Sequence, residues 1–334
     1  MGGRDGVGPV IAILAPGQGA QKPGMLRAWL QRPGARERLT AFSEAAGIDL
    51  VHMGTDADAD EIADTAVTQP LLVAGALLAF EALAERVTLP ADAPVAGHSV
   101  GELAAAAVAG VLSPTQAVAL AAVRGREMAA ACAAEPTSMA AVLGGDADAV
   151  LAALAEHDLE PANRNGGGQV VAAGRTEAID ALAAAPPEGA RVRPLAVAGA
   201  FHTRFMAPAE KALSAWVAEH RADLAPAAPR HPLLSDADGA VVADGDEYLD
   251  RLVAQVTLSV RWDSCMETLA GRGMTAALEL TPAGTLTGMV KRQVKGTTTL
   301  NLQGPDELDD AVALLVEHGA VPVESGTPAA EDRR

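Results

Sequence analysis

Apolar runs of two different rhythms alternate along this chain. In "PVIAILAPGQGA" an unbroken apolar stretch, residues 10–14, ends in Pro-Gly, the pattern of a buried strand that enters a glycine-rich loop. "QPLLVAGALLAFEALAER" (69–86) is apolar nearly all round and predicts a buried helix. A short apolar stretch then meets "GHSVG", and the helix "ELAAAAVAG" follows, stopped by Gly110. "SPTQAVALAAVRGREMAAACA" opens with Ser113 as an N-cap and Pro114 at the first helical position, and it carries Arg124 and Met128 four residues apart on one face.

The rhythm changes in the middle. "SMAAVLG" reads as a strand and "DADAVLAALAEH" as a helix with an acidic first turn, which suits the helix dipole. "LEPANRN" and "GQVVAAG" read as strands around a glycine turn at 166–168, "TEAIDALAAA" as a helix ended by Pro186 and Pro187, and "ARVRPLAV" as a last strand. That order, βαββαβ, predicts a ferredoxin-like small subdomain at 137–198. It is inserted into a larger α/β unit of residues 1–136 and 199–324 that carries a parallel sheet. Beyond it "PAEKALSAWVAEH" and "YLDRLVAQV" predict helices, "HPLLSDADGAVV" a strand and turn, and "AALELTPAGTLTGMVKRQV" a strand, a loop and a helix start. Residues 325–334 are expected to be a loose polar tail.

Composition narrows the function classes. Of the 334 residues 49% are hydrophobic but only 2% aromatic, so the core is aliphatic. The 43 acidic against 25 basic residues leave a net charge of −18, which repels phosphate backbones and argues against nucleic acid as a partner. No apolar run is read as reaching the roughly 18 residues that span a bilayer, so a cytoplasmic protein without a membrane partner is expected. Cys132 and Cys265 stand far apart and outside any CxxC pair, which supports neither a disulfide scaffold nor a metal site. No heptad or long apolar seam is evident, and a monomer is expected.

The candidate chemistry starts at Ser99. Glycine, any residue, serine, any residue, glycine between a strand and a helix is the nucleophile-elbow pattern, which exposes the hydroxyl and sets a helix N-terminus behind it. The pattern is also that of a simple tight turn. A nucleophilic serine needs a base. Of seven histidines, His52, His157, His220, His231 and His318 lie in polar or terminal surroundings and are expected to face solvent. His98 adjoins the serine with its side chain directed away. His202, in "VAGAFHTRFMAP", follows the last strand of the insertion where the chain re-enters the large unit. No aspartate stands out as a third member. The loop "APGQGAQ" has the glycines to aim backbone N–H groups at one point.

Together "PGQGAQ", "GHSVGE", "VRGREM", "NRNGGGQVVAAG", "GAFHTRFM" and "LVAQVTLSVRW", in this order over 11–302, resemble the malonyl-CoA:acyl carrier protein transacylase family and the related acyltransferase domains of polyketide synthases. The resemblance implies an α/β-hydrolase-like large subdomain and a ping-pong reaction that moves malonyl from malonyl-CoA to the phosphopantetheine thiol of an acyl carrier protein, with no cofactor. It implies Ser99 as nucleophile, His202 as base, Gln18 and Val100 as oxyanion donors and Gln255 as the residue whose carbonyl orients His202. It further implies that Arg124 holds the malonyl carboxylate, that Asn163 and Asn165 lie near the thioester arm, and that Met128 and Phe201 line the acyl pocket. Phenylalanine before the histidine implies malonyl over methylmalonyl. Lys291, Arg292 and Lys295 form a local basic segment that is read either as a docking surface for an acidic carrier or CoA phosphates or as a solvated helix face. Two further readings remain beside fatty acid synthesis: a free-standing acyltransferase for a polyketide carrier, and a serine thioesterase or esterase, which has no use for Arg124. A non-catalytic binding module is opposed by Ser99, His202 and Arg124 together.

Overall fold

A computed structural model describes residues 8–323; the expected tail at 325–334 lies outside them. The chain runs through β1 (Val10–Ala15), α1 (Ala35–Ala46), α2 (Leu50–Thr55), α3 (Thr65–Ala84), β2 (Val87–Thr88), β3 (Val95–Gly97), α4 (Gly101–Val108) and α5 (Pro114–Cys132). It continues through β4 (Thr137–Gly144), α6 (Ala147–Glu156), β5 (Glu160–Gly166), β6 (Gln169–Arg175), α7 (Thr176–Ala184) and β7 (Ala190–Pro194). It closes with α8 (Ala207–Leu224), β8 (Leu233–Leu234), β9 (Val241–Val242), α9 (Gly245–Ala254), α10 (Trp262–Gly271), β10 (Met274–Glu279), α11 (Thr285–Gln293), β11 (Thr298–Asn301), α12 (Leu308–Glu317) and β12 (Val321–Pro322).

The larger sheet has the order β11-β10-β1-β3-β8-β9, parallel except for β9. Its central strand β1 is buried throughout. Ile11 and Ile13 pack toward the main core beside α3, α4 and α5, while Ala12 and Leu14 face the core under α10 and α11. An unbroken apolar run with period-two alternation between two cores is what a parallel strand covered on both faces requires. The smaller sheet is antiparallel, with the order β5-β6-β4-β7. One of its faces packs on α6 and α7 through Ala140, Val142, Val150, Leu154, Ile179 and Leu182. The other contributes Met139, Val171 and Ala173 to the main core.

Three details differ from the sequence reading. The helix expected from 69 begins at Thr65, where the Asp64 side chain accepts the Ala66 N–H as its cap. Pro70 lies inside that helix, near its start. This helix, α3, does have the length and composition to cross a membrane, contrary to expectation, but 78% of its apolar window is buried inside the protein. The last strand of the insertion stops at Pro194, and Leu195 to Val197 turn to line a cavity instead.

Candidate active site

Ser99 sits between β3 and α4 with φ at 54°. The left-handed region is unfavourable for a residue with a side chain, and it is maintained here because the flanking glycines let the backbone fold back tightly. A Cβ on Gly97 would stand 2.1 Å from the Gly101 carbonyl, and one on Gly101 would stand 2.2 Å from the Ala15 oxygen. Gly17 in the loop after β1 is equally constrained, since its Cβ would lie 2.6 Å from the His98 oxygen. Both glycine motifs are therefore one packed unit at the C-terminal ends of β1 and β3, where parallel α/β sheets place their ligands.

His202 also has positive φ, 59°. Its loop is tied down by the Thr203 hydroxyl, which donates to the Ala200 carbonyl at 2.6 Å, and by the Thr137 hydroxyl, which accepts the Ala200 N–H at 3.0 Å. His202 Nδ1 lies 2.8 Å from the Gln255 carbonyl. A carbonyl only accepts, so the proton is on Nδ1, and Nε2 is left as an acceptor facing Ser99 Oγ at 2.7 Å. Burial first, then the Arg124 cation, lowers the His202 pKa to about 3, so the ring is neutral at physiological pH.

Arg124 on α5 is 3% exposed. Its Nη1 donates to Gln69 Oε1 and its Nη2 to Gln255 Oε1, both at 2.6 Å, and Nη2 also reaches Ser99 Oγ at 3.3 Å. Burial lowers its pKa to about 10, which leaves it charged. The structure thus brings a hydroxyl, a neutral imidazole and a guanidinium to one point.

That point opens into a cavity of about 390 Å³ between the two sheets. Gln18, Met128, Asn163, Asn165 and Phe201 line it together with Ser99, Arg124 and His202. Gln18 Nε2 donates to Thr65 Oγ1 at 3.2 Å. Val100 is the N-cap of α4, with its side chain buried in the main core. Gln255 follows α9, and its carbonyl reaches the site from behind His202. His98 is turned from the serine toward Asn165, with Nε2 3.0 Å from Oδ1, yet it still lines the same cavity. Lys291, Arg292 and Lys295 are exposed at the end of α11. Thr285 and Leu286, in that helix's first turn, border the cavity.

Of the five histidines expected in solvent, only His52 is exposed; the others are half-buried. His220 and His318 each donate Nδ1–H to the carbonyl four residues back, and His231 to the Pro90 carbonyl. Sequence reasoning missed Gln69, Glu102 and Asp236. Asp236 Oδ2 accepts the Ser99 N–H at 2.7 Å, and Glu102 Oε1 accepts the Asp236 N–H at 2.7 Å. Burial raises both carboxyls, Glu102 to about 7. The one available signal was a glutamate in an otherwise apolar helix, "GELAAAAVAG", since a buried acid needs partners.

A serine held at a strand-to-helix elbow against a histidine and a buried arginine is the arrangement of an acyl-transfer site. This chain belongs to the acyl transferase domain family, whose model matches residues 13–299. It is 53% identical over 306 residues to the malonyl CoA-acyl carrier protein transacylase of Mycobacterium tuberculosis, covering 91% of this chain and 100% of the relative. The crystal structure of MCAT from the same organism superimposes with a TM-score of 0.86 at 51% identity, covering 91% of this chain and 99% of that one. A malonyl-transacylase solved in complex with its type II polyketide synthase acyl-carrier protein matches with a TM-score of 0.83 at 29% identity, covering 91% and 99%.

Proposed function

We propose that this protein moves a malonyl group from malonyl-CoA to the phosphopantetheine thiol of an acyl carrier protein in fatty acid synthesis. The observation that carries the reading is the Arg124 guanidinium 3.3 Å from Ser99 Oγ. In malonyl-CoA the free carboxylate is separated from the thioester carbonyl by a single methylene. A cation that binds it with paired hydrogen bonds must therefore stand beside the nucleophile, where an esterase has no need of one.

In the first half-reaction Ser99 attacks the thioester carbon while its proton passes to His202 Nε2. The oxyanion is held by the backbone N–H groups of Gln18, in the loop after β1, and of Val100, at the N-terminus of α4. Collapse breaks the C–S bond, and the imidazolium returns its proton to the leaving CoA thiolate. In the second half the carrier thiol gives its proton to His202 and attacks the malonyl-serine ester, and the proton returns to Ser99. Gln255 holds the imidazole in the tautomer both halves need. Asn163 and Asn165 flank the thioester arm, and Met128 and Phe201 bound the acyl group.

The reading takes the fold as an α/β-hydrolase-like large subdomain with a ferredoxin-like small subdomain over the site. It takes the enzyme as a cytoplasmic monomer that uses no cofactor or metal and acts on neither nucleic acid nor membrane. The likeness to a malonyl-transacylase solved with a polyketide carrier favours one second reading, the same chemistry with a polyketide carrier as acceptor. Intact-mass spectrometry tests both. Malonyl-CoA should add one malonyl group to the wild type and none to Ser99→Ala, and a holo carrier protein should then remove it. Comparison of a fatty acid carrier with a polyketide carrier separates the two acceptors. Release of free malonate instead, with no carrier labelled, overturns the transferase reading.

A further inference from the structure

Beneath Ser99 lies a layer of buried acids that the cycle above does not use. Glu102, in the first turn of α4, is 1% exposed, and Asp236, just after β8, is 0% exposed. Besides the Ser99 and Asp236 amides already described, the Tyr248 hydroxyl donates to Glu102 Oε1 at 3.4 Å and the Cys265 thiol to Asp236 Oδ1 at 3.6 Å. The Gln255 side chain joins this layer to Arg124. Its Nε2 donates to Glu102 Oε2 and, at 3.2 Å, to the Ser99 carbonyl, while its Oε1 accepts from Arg124 Nη2 at 2.6 Å.

A carboxamide has a donor end and an acceptor end and fits most pockets either way round. Here its two neighbours differ in kind. Above its raised pKa of about 7 Glu102 is a carboxylate, which only accepts, and a guanidinium only donates. One orientation alone satisfies both, with the NH₂ toward Glu102 and the oxygen toward Arg124. Reversed, the amide would set donor against donor at Arg124 and acceptor against acceptor at Glu102. The resulting loss of partners is costly at sites this buried.

We propose that Glu102 and Asp236 are positioning residues for the acyl transfer: Glu102 fixes which way round Gln255 stands and so aims the Arg124 guanidinium, while Asp236 holds the Ser99 main chain in its left-handed conformation. Two separable consequences follow. Loss of the Glu102 carboxylate harms donors that carry a free carboxylate more than donors that do not. Loss of Asp236 harms all donors alike, because every acyl group is received by Ser99.

The inference rests on the malonyl-transfer reading. The test is loading of Ser99 from malonyl-CoA and from acetyl-CoA, followed by intact mass, with thermal melting to confirm folding. A wild type that takes no malonyl refutes the function itself, whatever the variants do. Given wild-type loading, Glu102→Gln should lower the malonyl-to-acetyl ratio of kcat/KM about tenfold, the factor expected when a hydrogen bond to a charged group is misdirected. Because Glu102 acts through Gln255, the double variant Glu102→Gln, Gln255→Met should be no worse in this ratio than Gln255→Met alone. Asp236→Ala should slow both donors with the ratio kept. If Glu102→Gln does not fold, Glu102→Asp, whose carboxylate is withdrawn from Gln255 by one methylene, takes its place in the same comparison. An unchanged ratio in the Glu102 variant, or a loss that adds to that of Gln255→Met, overturns the proposal.

Discussion

Replacement of Arg124 by methionine is the sharpest perturbation of the proposed chemistry. Methionine keeps most of the side-chain volume in α5 and removes the charge. In the resting protein Gln69 Oε1 and Gln255 Oε1 each lose a 2.6 Å donor, and Glu102 and Asp236 lose the cation nearest to them. These losses fall on every acyl donor. The malonyl group loses something more, the partner of a carboxylate brought to a site only 3% exposed. Truncation of one member of a buried, hydrogen-bonded charge pair costs about 2–5 kcal/mol, which corresponds to roughly 30-fold to several thousandfold. Acetyl-CoA has no carboxylate and escapes this part.

The measured quantity is therefore a ratio. Pre-steady-state loading of Ser99 is followed by intact mass with malonyl-CoA and acetyl-CoA, and kcat/KM for each is compared between wild type and Arg124→Met. The malonyl value should fall at least about 30-fold further than the acetyl value. Equal falls would mean that Arg124 only props up the site through Gln69 and Gln255, and the argument that places the malonyl carboxylate beside Ser99 would fail.

The pH profile reports on His202. Its pKa is lowered, so the neutral base persists to low pH: kcat/KM for acetyl loading, which does not call on the Glu102 carboxylate, should show no half-loss near 6.5, where an ordinary histidine would titrate. A bound malonyl carboxylate offsets the Arg124 cation that helps depress this pKa, so with malonyl-CoA the His202 limb of kcat should lie at higher pH than that of kcat/KM; a limb near 6.5 in kcat/KM for acetyl-CoA contradicts the burial argument. Phe201→Ser opens the cavity beside Met128 and should raise methylmalonyl relative to malonyl loading by about tenfold, the worth of one methyl in an apolar pocket, as read by donor competition. Gly101→Ala places a Cβ against the Ala15 carbonyl and should destabilise the fold by about 2–4 kcal/mol in urea unfolding, with loss of loading.

What could be read from the sequence follows the range of the interactions. Strand β1 declared itself because a strand covered on both faces must be apolar at every position. Helix α5 did so because Ser113, Pro114 and Gln116 write its start locally, with Gln116 closing a capping box. Gly97, Ser99 and Gly101 were legible because the elbow is a short contiguous pattern: Gly97 is required by the Gly101 carbonyl in the same turn, although Gly101 itself is required by the distant Ala15 oxygen in β1. Gln69 was harder to place, since Pro70 beside it suggests a helix start, whereas the cap lies at Asp64.

The layer under Ser99 had no such local signature. Glu102 meets Asp236 across 134 positions and Gln255 across 153. In the sequence Asp236 belongs to "LLSDADG", where an aspartate before glycine reads as turn chemistry. Only the sheet order, which sets β8 beside β3, carries it under the elbow. The search for a third catalytic carboxylate failed for a related reason. The group that faces His202 Nδ1 is the main-chain carbonyl of Gln255, which any residue could supply. What requires glutamine there is its side chain, held between an acid and a guanidinium. Residue identity at position 255 is thus set by the arginine's orientation, while the histidine's tautomer depends on where the end of α9 places the backbone carbonyl.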